Sequence, residues 1–321
     1  MKILVTGCAG FIGFHVSKKI LANNFTVIGI DNLNNYYDTN LKKTRLKILN
    51  NYEKFTFLKL DLINYKKLND VFKKYKIKYV VHLAAQAGVR HSIKKPEDYF
   101  NSNILSFFNL IQCLKNQKIN HCIFASTSSV YGDAKKFPIK EIDNTDKPLT
   151  FYAASKKTNE VMAYSYSNIY NIPFTCVRLF TVYGPYGRPD MALFKFVKSA
   201  LLKKKINLYN EGKHIRDFTY VDDVSNAIFK LIRKPPKLKP KYNLFNISSN
   251  NPKNLETFIR EIEKNLKIKT KKVKVGIQVG DVVKTNGNNN KISKFINFKP
   301  KTNIKFGIEK FISWYKNYYD K

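Results

Sequence analysis

Tyr152 and Lys156 stand four residues apart where a helical pattern begins, so their side chains project from one face. An ammonium beside a phenol favours the phenolate and lowers the tyrosine pKa, which makes a proton acceptor usable near neutral pH. Upstream, Ser126-Thr127-Ser128-Ser129-Val130-Tyr131-Gly132 sets hydroxyls at the end of an apolar run. In an open α/β sheet that C-terminal edge is where ligands bind. A tyrosine–lysine pair alone is ordinary on exposed helices, and its surroundings decide whether it does chemistry.

Those surroundings begin at the N-terminus. Lys2–Val5 runs into Thr6-Gly7-Cys8-Ala9-Gly10-Phe11-Ile12-Gly13 and then a helical pattern. Gly7, Gly10 and Gly13 permit a tight turn, close backbone approach to a pyrophosphate, and close packing of helix on strand. The first N–H groups of that helix, around Phe11 and Ile12, would face the phosphates. Asp31 closes the next strand about 20 residues on, as a ribose-binding acid should. A carboxylate there repels a 2′-phosphate, which favours NAD over NADP. Asp61-Leu62 ends the third strand, where a carboxylate can meet the adenine. His82-Leu83-Ala84-Ala85 ends the fourth, with small residues where backbone passes close to a cofactor. Each of these last two also reads as a plain strand-end turn.

Stepping along the chain, apolar runs alternate with helical patterns, which predicts an α/β fold: a Rossmann-type, doubly wound parallel sheet with helices on both faces. Candidate strands are Lys2–Val5, Thr26–Ile30, Thr56–Leu60, Tyr79–Leu83, His121–Ser126 and Phe174–Leu179, with helices starting near Phe11, Tyr65, Pro96 and Tyr152. After Leu179 the alternation breaks at Gly184-Pro185, Gly187-Arg188-Pro189 and the Lys234–Pro240 stretch. A short strand at Leu244–Ile247 could return to the sheet. The expected division is a dinucleotide-binding domain over 1–180, with return segments near 215–250, and a smaller C-terminal α/β substrate domain over 181–321.

The formal net charge of +35 invites a nucleic-acid reading. The lysines are scattered through every segment, and no nucleic-acid module is recognisable, so composition bias and solvated helix faces account for them better. No apolar run is long enough to span a bilayer. Cys8, Cys113, Cys122 and Cys176 have neither metal-ligand spacing nor disulfide-scaffold density, so buried reduced thiols, no metal and a cytoplasmic location are expected.

Across nearly its full length the chain resembles the extended short-chain dehydrogenases/reductases of the NAD-dependent epimerase/dehydratase family. The resemblance rests on the Gly7/Gly10/Gly13 turn, the Thr127 strand end, Tyr152-x-x-x-Lys156, and Arg216-Asp217-Phe218 before Val221-Asp222-Asp223. It implies that Tyr152 is general base and acid. It implies too that Lys156 binds the nicotinamide ribose and depresses the Tyr152 pKa, that Thr127 bonds the reacting hydroxyl, and that Asn103 helps to position the cofactor. A homodimer through two helices per subunit, starting near Pro96 and Tyr152, is also implied.

Residues after the catalytic threonine sort the family's reactions. Sugar-nucleotide 4,6-dehydratases carry Asp-Glu where this chain has Ser128 and Ser129, and UDP-glucuronate decarboxylases carry Glu at the second position. Two-step epimerases of the GDP-fucose synthase kind use NADPH, which Asp31 disfavours. Simple 4-epimerisation of a UDP-sugar remains. Three stretches resemble the UDP-glucuronate 4-epimerases: Gln86-Ala87-Gly88-Val89-Arg90, Arg178 through Thr181 to Phe194, and Gln278 with Gly280-Asp281-Val282 and Thr285. Oxidising C4 of a uronic acid gives a β-keto acid prone to lose CO₂, so the carboxylate must be held. Ser128, Ser129, Thr181 and Arg188 are the candidates. The two serines and Thr181 also read as strand-end packing. Arg216 would clamp the diphosphate, Met191 to Phe194 would flank the uracil, and Arg90 and Asp281 complete the substrate set. The other reading of Arg216-Asp217 is a surface ion pair. Asn286-Gly287-Asn288 departs from the aromatic, small residue and Asp usual in relatives. Beside this reading stand a 4-epimerase of a neutral UDP-sugar (UDP-glucose/galactose or the N-acetyl form) and a non-catalytic NAD-binding protein.

Overall fold

Ile3, Leu4 and Val5, then Val27, Ile28 and Ile30, then Val80 and Val81 are almost wholly buried, so these strands carry continuous apolar runs rather than an alternation. Such strands need cover on both faces. The computed structural model describes residues 1–319 and supplies it. In chain order come β1 (Lys2–Thr6), α1 (Phe11–Ala22), β2 (Thr26–Asp31), α2 (Thr39–Asn50), β3 (Phe55–Lys59), α3 (Tyr65–Tyr75) and β4 (Tyr79–His82). Two short helices follow, α4 (His91–Lys94) and α5 (Pro96–Tyr99), then a π-helical turn (Phe100–Leu105), α6 (Ser106–Lys115), β5 (His121–Thr127), α7 (Phe151–Tyr170) and β6 (Phe174–Leu179).

The second part runs β7 (Thr181–Tyr183), α8 (Ala192–Leu201), β8 (Ile206–Tyr209), β9 (Ile215–Arg216), β10 (Phe218–Tyr220), α9 (Val221–Ile232) and β11 (Tyr242–Ile247). It ends with β12 (Lys253–Asn254), α10 (Leu255–Leu266), β13 (Lys272–Val275), α11 (Asn290–Ile296) and α12 (Ile304–Tyr319). Seven parallel strands form the central sheet in the order β11-β6-β5-β4-β1-β2-β3. The order reverses between β1 and β4, and ligands bind beyond the strand ends at such a switch. Thr6 pairs with both Ile30 and His82, so the three neighbouring strands end level and open one crevice.

One core packs α1, α9 and α11 on one face, and another packs α3, α6 and α7 on the other. A third gathers α8, α10 and α12 around Phe194, Phe218 and Phe258. Helix α2 has no counterpart in the sequence reading. Its buried positions are Leu41, Lys42, Arg45, Leu46 and Leu49, and the two cations interrupt the apolar stripe. Asp38 caps it by accepting from Asn40 N at 2.9 Å. Among the described residues, no helix is long and apolar enough to cross a membrane.

One buried ion pair ties α7 to the sheet. Arg178 on β6 donates through Nε and Nη2 to Glu160 at 2.9 and 2.7 Å, and Ser126 on β5 donates to the same carboxylate at 2.5 Å. Glu160→Leu should lower stability by about 3–5 kcal/mol by stranding the guanidinium, read as a fall in the urea midpoint. Combining it with Arg178→Met should recover most of the loss. Additive losses would mean that the pair is not the linkage.

Candidate active site

The cleft at the switch point has a volume of about 830 Å³. At the end of β1, Gly7 adopts φ +72°, and a Cβ there would lie 2.7 Å from Ala84 N. A Cβ on Gly13 would collide with the Gly7 carbonyl oxygen, so helix and turn touch as only glycines allow. Helix α1 follows Gly10, an N-cap with no side chain to bond it, which leaves its first N–H groups to an anion. Gly7, Gly10, Phe11, Ile12 and Gly13 all border the cleft.

Asp31 lies at its wall, nearly buried, with its carboxylate aimed by Ala9 N at 3.1 Å and Leu33 N at 2.9 Å. Asp61 accepts from Asn32 Nδ2 at 2.9 Å and Ile63 N at 3.0 Å, beside Leu62. Ala84 and Ala85 line the adjoining wall. Asn103 does not reach the cleft. It sits in the π-helical turn, accepts from Gln86 N at 2.8 Å, and donates to Gln86 O at 3.1 Å and Ser155 Oγ at 2.9 Å. It therefore fixes the wall after β4 to α7 and can position a cofactor through Gln86 and Ser155.

Thr150 caps α7 by accepting from Ala153 N at 3.3 Å, which puts Tyr152 in the first turn at the cleft. Lys156, one turn on, is buried and borders the same space. Thr127 donates to Ser129 Oγ and accepts from Ser129 N, both at 3.2 Å, and Ser128 completes the hydroxyl row. The expected lowering of the Tyr152 pKa by Lys156 is not what this chain shows on its own. Burial pushes the Tyr152 phenol up, and the opposing pulls come from the Thr127 hydroxyl and the Arg188 guanidinium. Burial also brings Lys156 down to about 8, against the raising effect of Cys176 and Glu160. Beneath them His82 is held neutral, at about 3, by burial and then by Lys156.

At the far side of Tyr152, Thr181 and Arg188 enter the cleft. Arg188 forks onto Asp190 at 2.9 and 2.6 Å, and Tyr36 donates to Asp190 at 3.4 Å. Burial opposes the Arg188 charge, but Asp190 outweighs it and the guanidinium stays firmly protonated. Farther out Arg90 pairs with Asp281 at 3.1 Å and lies 4.5 Å from the Tyr209 ring centre. Arg216 donates to Ile215 O at 3.1 Å and Val283 O at 2.9 Å, and burial lowers it to about 10.

The ion-pair reading of Arg216-Asp217 fails, because Asp217 turns inward. It accepts from Ser249 N and Oγ, both at 2.7 Å, and from Asn250 N and Gly287 N, both at 3.1 Å. Met191 borders the cleft, but Phe194 does not. Phe194 packs with Phe311, Trp314 and Tyr315, because α8 turns that face into the third core. Tyr36, Tyr37, Lys42, Tyr209 and His214 line the cleft without having been singled out. They lie on loops, strand ends and α2; the one signal was the Tyr36-Tyr37 doublet after Asp31.

The Lys156 shift has a thermodynamic consequence. Its pKa is lower in the folded chain than the usual 10.5, so between about 8 and 10.5 the unfolded chain binds more protons and stability rises with pH. Without cofactor, Lys156→Met should resist urea better than the parent at pH 7, with the gap closing as pH rises from about 8 toward 10. A gap independent of pH would show that burial does not act on this amine.

Residues 3–248 match the family model described as the NAD dependent epimerase/dehydratase family. The chain is 46% identical to Protein CapI of Staphylococcus aureus, with 100% of both chains covered. It is 37% identical to the probable UDP-glucuronate 4-epimerase of Rhizobium meliloti, covering 99% of this chain and 98% of the relative. A crystal structure of UDP-glucuronic acid 4-epimerase from Bacillus cereus, in complex with UDP-glucuronic acid and NAD, superposes with a TM-score of 0.94 at 31% identity, covering 99% of this chain and 100% of that one. With the glycine turn, Asp31 and the Tyr152–Lys156 pair all gathered in one cleft, the chain belongs to the NAD-dependent epimerase/dehydratase family.

Proposed function

We propose that this chain is a UDP-glucuronate 4-epimerase, using NAD to invert C4 of UDP-glucuronate to UDP-galacturonate through a 4-keto sugar. One observation carries the substrate: Arg188 stands close enough to Tyr152 for each to shift the other's proton affinity. A cation and the hydroxyls of Thr127, Ser128, Ser129 and Thr181 thus surround the acid/base group, with no carboxylate in the serine positions. The Bacillus cereus enzyme and the Rhizobium meliloti relative support the same substrate.

The cleft fits NAD on its own terms. The glycine turn leaves no room for a Cβ, the α1 N–H groups are uncapped, and the Asp31 carboxylate is already oriented. Gly7, Gly10, Phe11, Ile12 and Gly13 would hold the pyrophosphate, Asp31 a ribose, Asp61 and Leu62 the adenine, and Lys156 the nicotinamide ribose. When bound, NAD supplies a hydride acceptor and donor at the sugar C4 and a positive charge that favours a phenolate.

The chain's own groups do the rest. Tyr152 takes the C4 hydroxyl proton and later returns it to the C4 oxygen, after the keto sugar has turned about its link to the diphosphate and presents its opposite face to the cofactor. Thr127 holds the reacting hydroxyl beside Tyr152. Arg188, Thr181 and the serines keep the carboxylate out of line with the ketone, which suppresses loss of CO₂. Arg216, Arg90 and Met191 receive the nucleotide end, with Asp281 orienting Arg90.

Two further assignments belong to this proposal. Four buried free thiols support a reducing cytoplasm. Exposed Phe100, Phe108, Val161 and Tyr164, on the segment from the π-helical turn through α6 and on α7, support a homodimer through those helices. Phe108→Asp should convert the dimer to a monomer by light scattering, and a parent already monomeric removes the assignment.

Incubation with UDP-glucuronate, followed by NMR, should give UDP-galacturonate with little UDP-pentose and no net NADH. Substantial UDP-pentose would make the chain a decarboxylase, and activity confined to UDP-glucose would make it a neutral-sugar epimerase. Tyr152→Phe should cost roughly 10²–10⁴-fold in rate. Arg188→Met should cost about 10–100-fold in kcat/KM with the uronate and far less with UDP-glucose.

A further inference from the structure

Among the described residues Arg45 is the largest fully buried side chain, and none of their carboxylates lies in ion-pair range of it. Its Nη1 donates to Ala9 O and to the Tyr37 hydroxyl, both at 2.7 Å, and Nη2 donates to Tyr186 O at 2.7 Å. Nε has no acceptor. A buried cation without a counter-charge is costly, and neutral oxygens offset only part of that cost. Such a group needs a reason.

The two carbonyls belong to opposite halves of the cleft. Ala9 lies inside the glycine turn, between Gly7 and Gly10 and just ahead of the uncapped N-terminus of α1, whose first N–H groups are open to an anion. Tyr186 sits two residues before Arg188 and holds φ +56°, a left-handed conformation that a tyrosine adopts only under constraint. The preceding carbonyl, Pro185 O, accepts from His15 Nε2 on α1 at 2.9 Å. Consecutive carbonyls of the segment that leads to Arg188 are therefore gripped from the dinucleotide side.

We propose that Arg45 is a positioning residue that couples the two halves of the site. Its unneutralised charge lies behind the glycine turn and favours an anionic pyrophosphate there, while its planar fork holds the Tyr186 carbonyl and so sets Arg188. A lysine could keep the charge but not span both carbonyls. This rests on the reading of a dinucleotide cofactor and a carboxylated sugar, so the parent protein must first bind NAD and convert UDP-glucuronate. Failure there overturns that reading, whatever the variants do.

The test compares Arg45→Met, Arg45→Lys and His15→Ala, by NAD titration of stripped protein followed through Trp314 fluorescence, the KM for UDP-glucuronate and the Ki for UDP. Arg45→Met should weaken NAD roughly ten-fold and raise the KM about five- to ten-fold, with the UDP Ki within about two-fold of the parent. Arg45→Lys should restore NAD binding to within about three-fold and leave the KM raised. His15→Ala should raise the KM alone. Parent-like NAD binding in Arg45→Met, NAD binding in Arg45→Lys reduced ten-fold, or a UDP Ki that rises with the KM would each overturn the proposal. If Arg45→Met does not fold, the lysine and alanine variants decide it: near-parent NAD binding with raised KM in both supports it, and any other pattern overturns it.

Discussion

Glu160 lies one helical turn beyond Lys156 on α7, and its carboxylate takes two bonds from Arg178 and one from Ser126. Three elements are held by that one group. Ser126 precedes Thr127 at the end of β5, and Arg178 closes in on Thr181 beyond β6. The relative placement of Tyr152, Lys156, Thr127 and Thr181 is therefore set from below, by bonds that no ligand disturbs. Glu160 also works against burial to keep Lys156 protonated. Removing two charges from water is costly, but a carboxylate with three donors and a guanidinium stacked 4.6 Å from the Tyr131 ring meets the geometric condition for repayment.

Asp217 does for the far wall what Glu160 does for the near one. Its four donors come from the segment after β11 and from Gly287, so two stretches distant in sequence converge on it. The departure at Asn286-Gly287-Asn288 falls at this point. Asn286 O accepts from Ile139 N, and Asn288 N donates to Ile139 O, both at 2.8 Å, so main-chain bonds secure the segment. A Cβ at Gly287 would sit 2.5 Å from the Phe180 ring. Glycine there is a packing requirement.

Elements whose burial is one-dimensional were legible in the chain. Each central strand carries its own apolar run, and all seven occur where such runs stand, with ends differing by a residue or two. The glycine turn was legible because backbone sterics alone demand it. Helix α2 was not, since Lys42 and Arg45 point inward and mimic a polar face. Phe194 shows the converse limit: a residue beside a site in sequence can face the core one helix turn away. Asn103 and Asp217 carry motif positions, yet their partners lie 17 to 70 residues off, a separation that spacing cannot encode. The upward push on the Tyr152 phenol was not legible for a related reason, because burial of the whole site outweighs any one neighbour.

That same burial explains how the cleft can prefer a highly charged ligand. Lys156 and Arg216 are pulled down to about 8 and about 10, which means that each cation is under-solvated where it stands. At Arg188 the neighbouring Asp190 outweighs burial, Arg90 pairs with Asp281, and Arg45 has no carboxylate in ion-pair range among the described residues. A ligand bearing phosphates and a carboxylate supplies counter-charges to groups that already bear the desolvation cost, so the added attraction is not spent on stripping water from them. A neutral sugar would leave Arg188 forked on Asp190 and gain nothing from it. If Arg188 receives the substrate carboxylate as proposed, discrimination for the uronate depends on how readily it exchanges one carboxylate for another, a trade between two nearly equivalent bonds that the surrounding hydroxyls would tip.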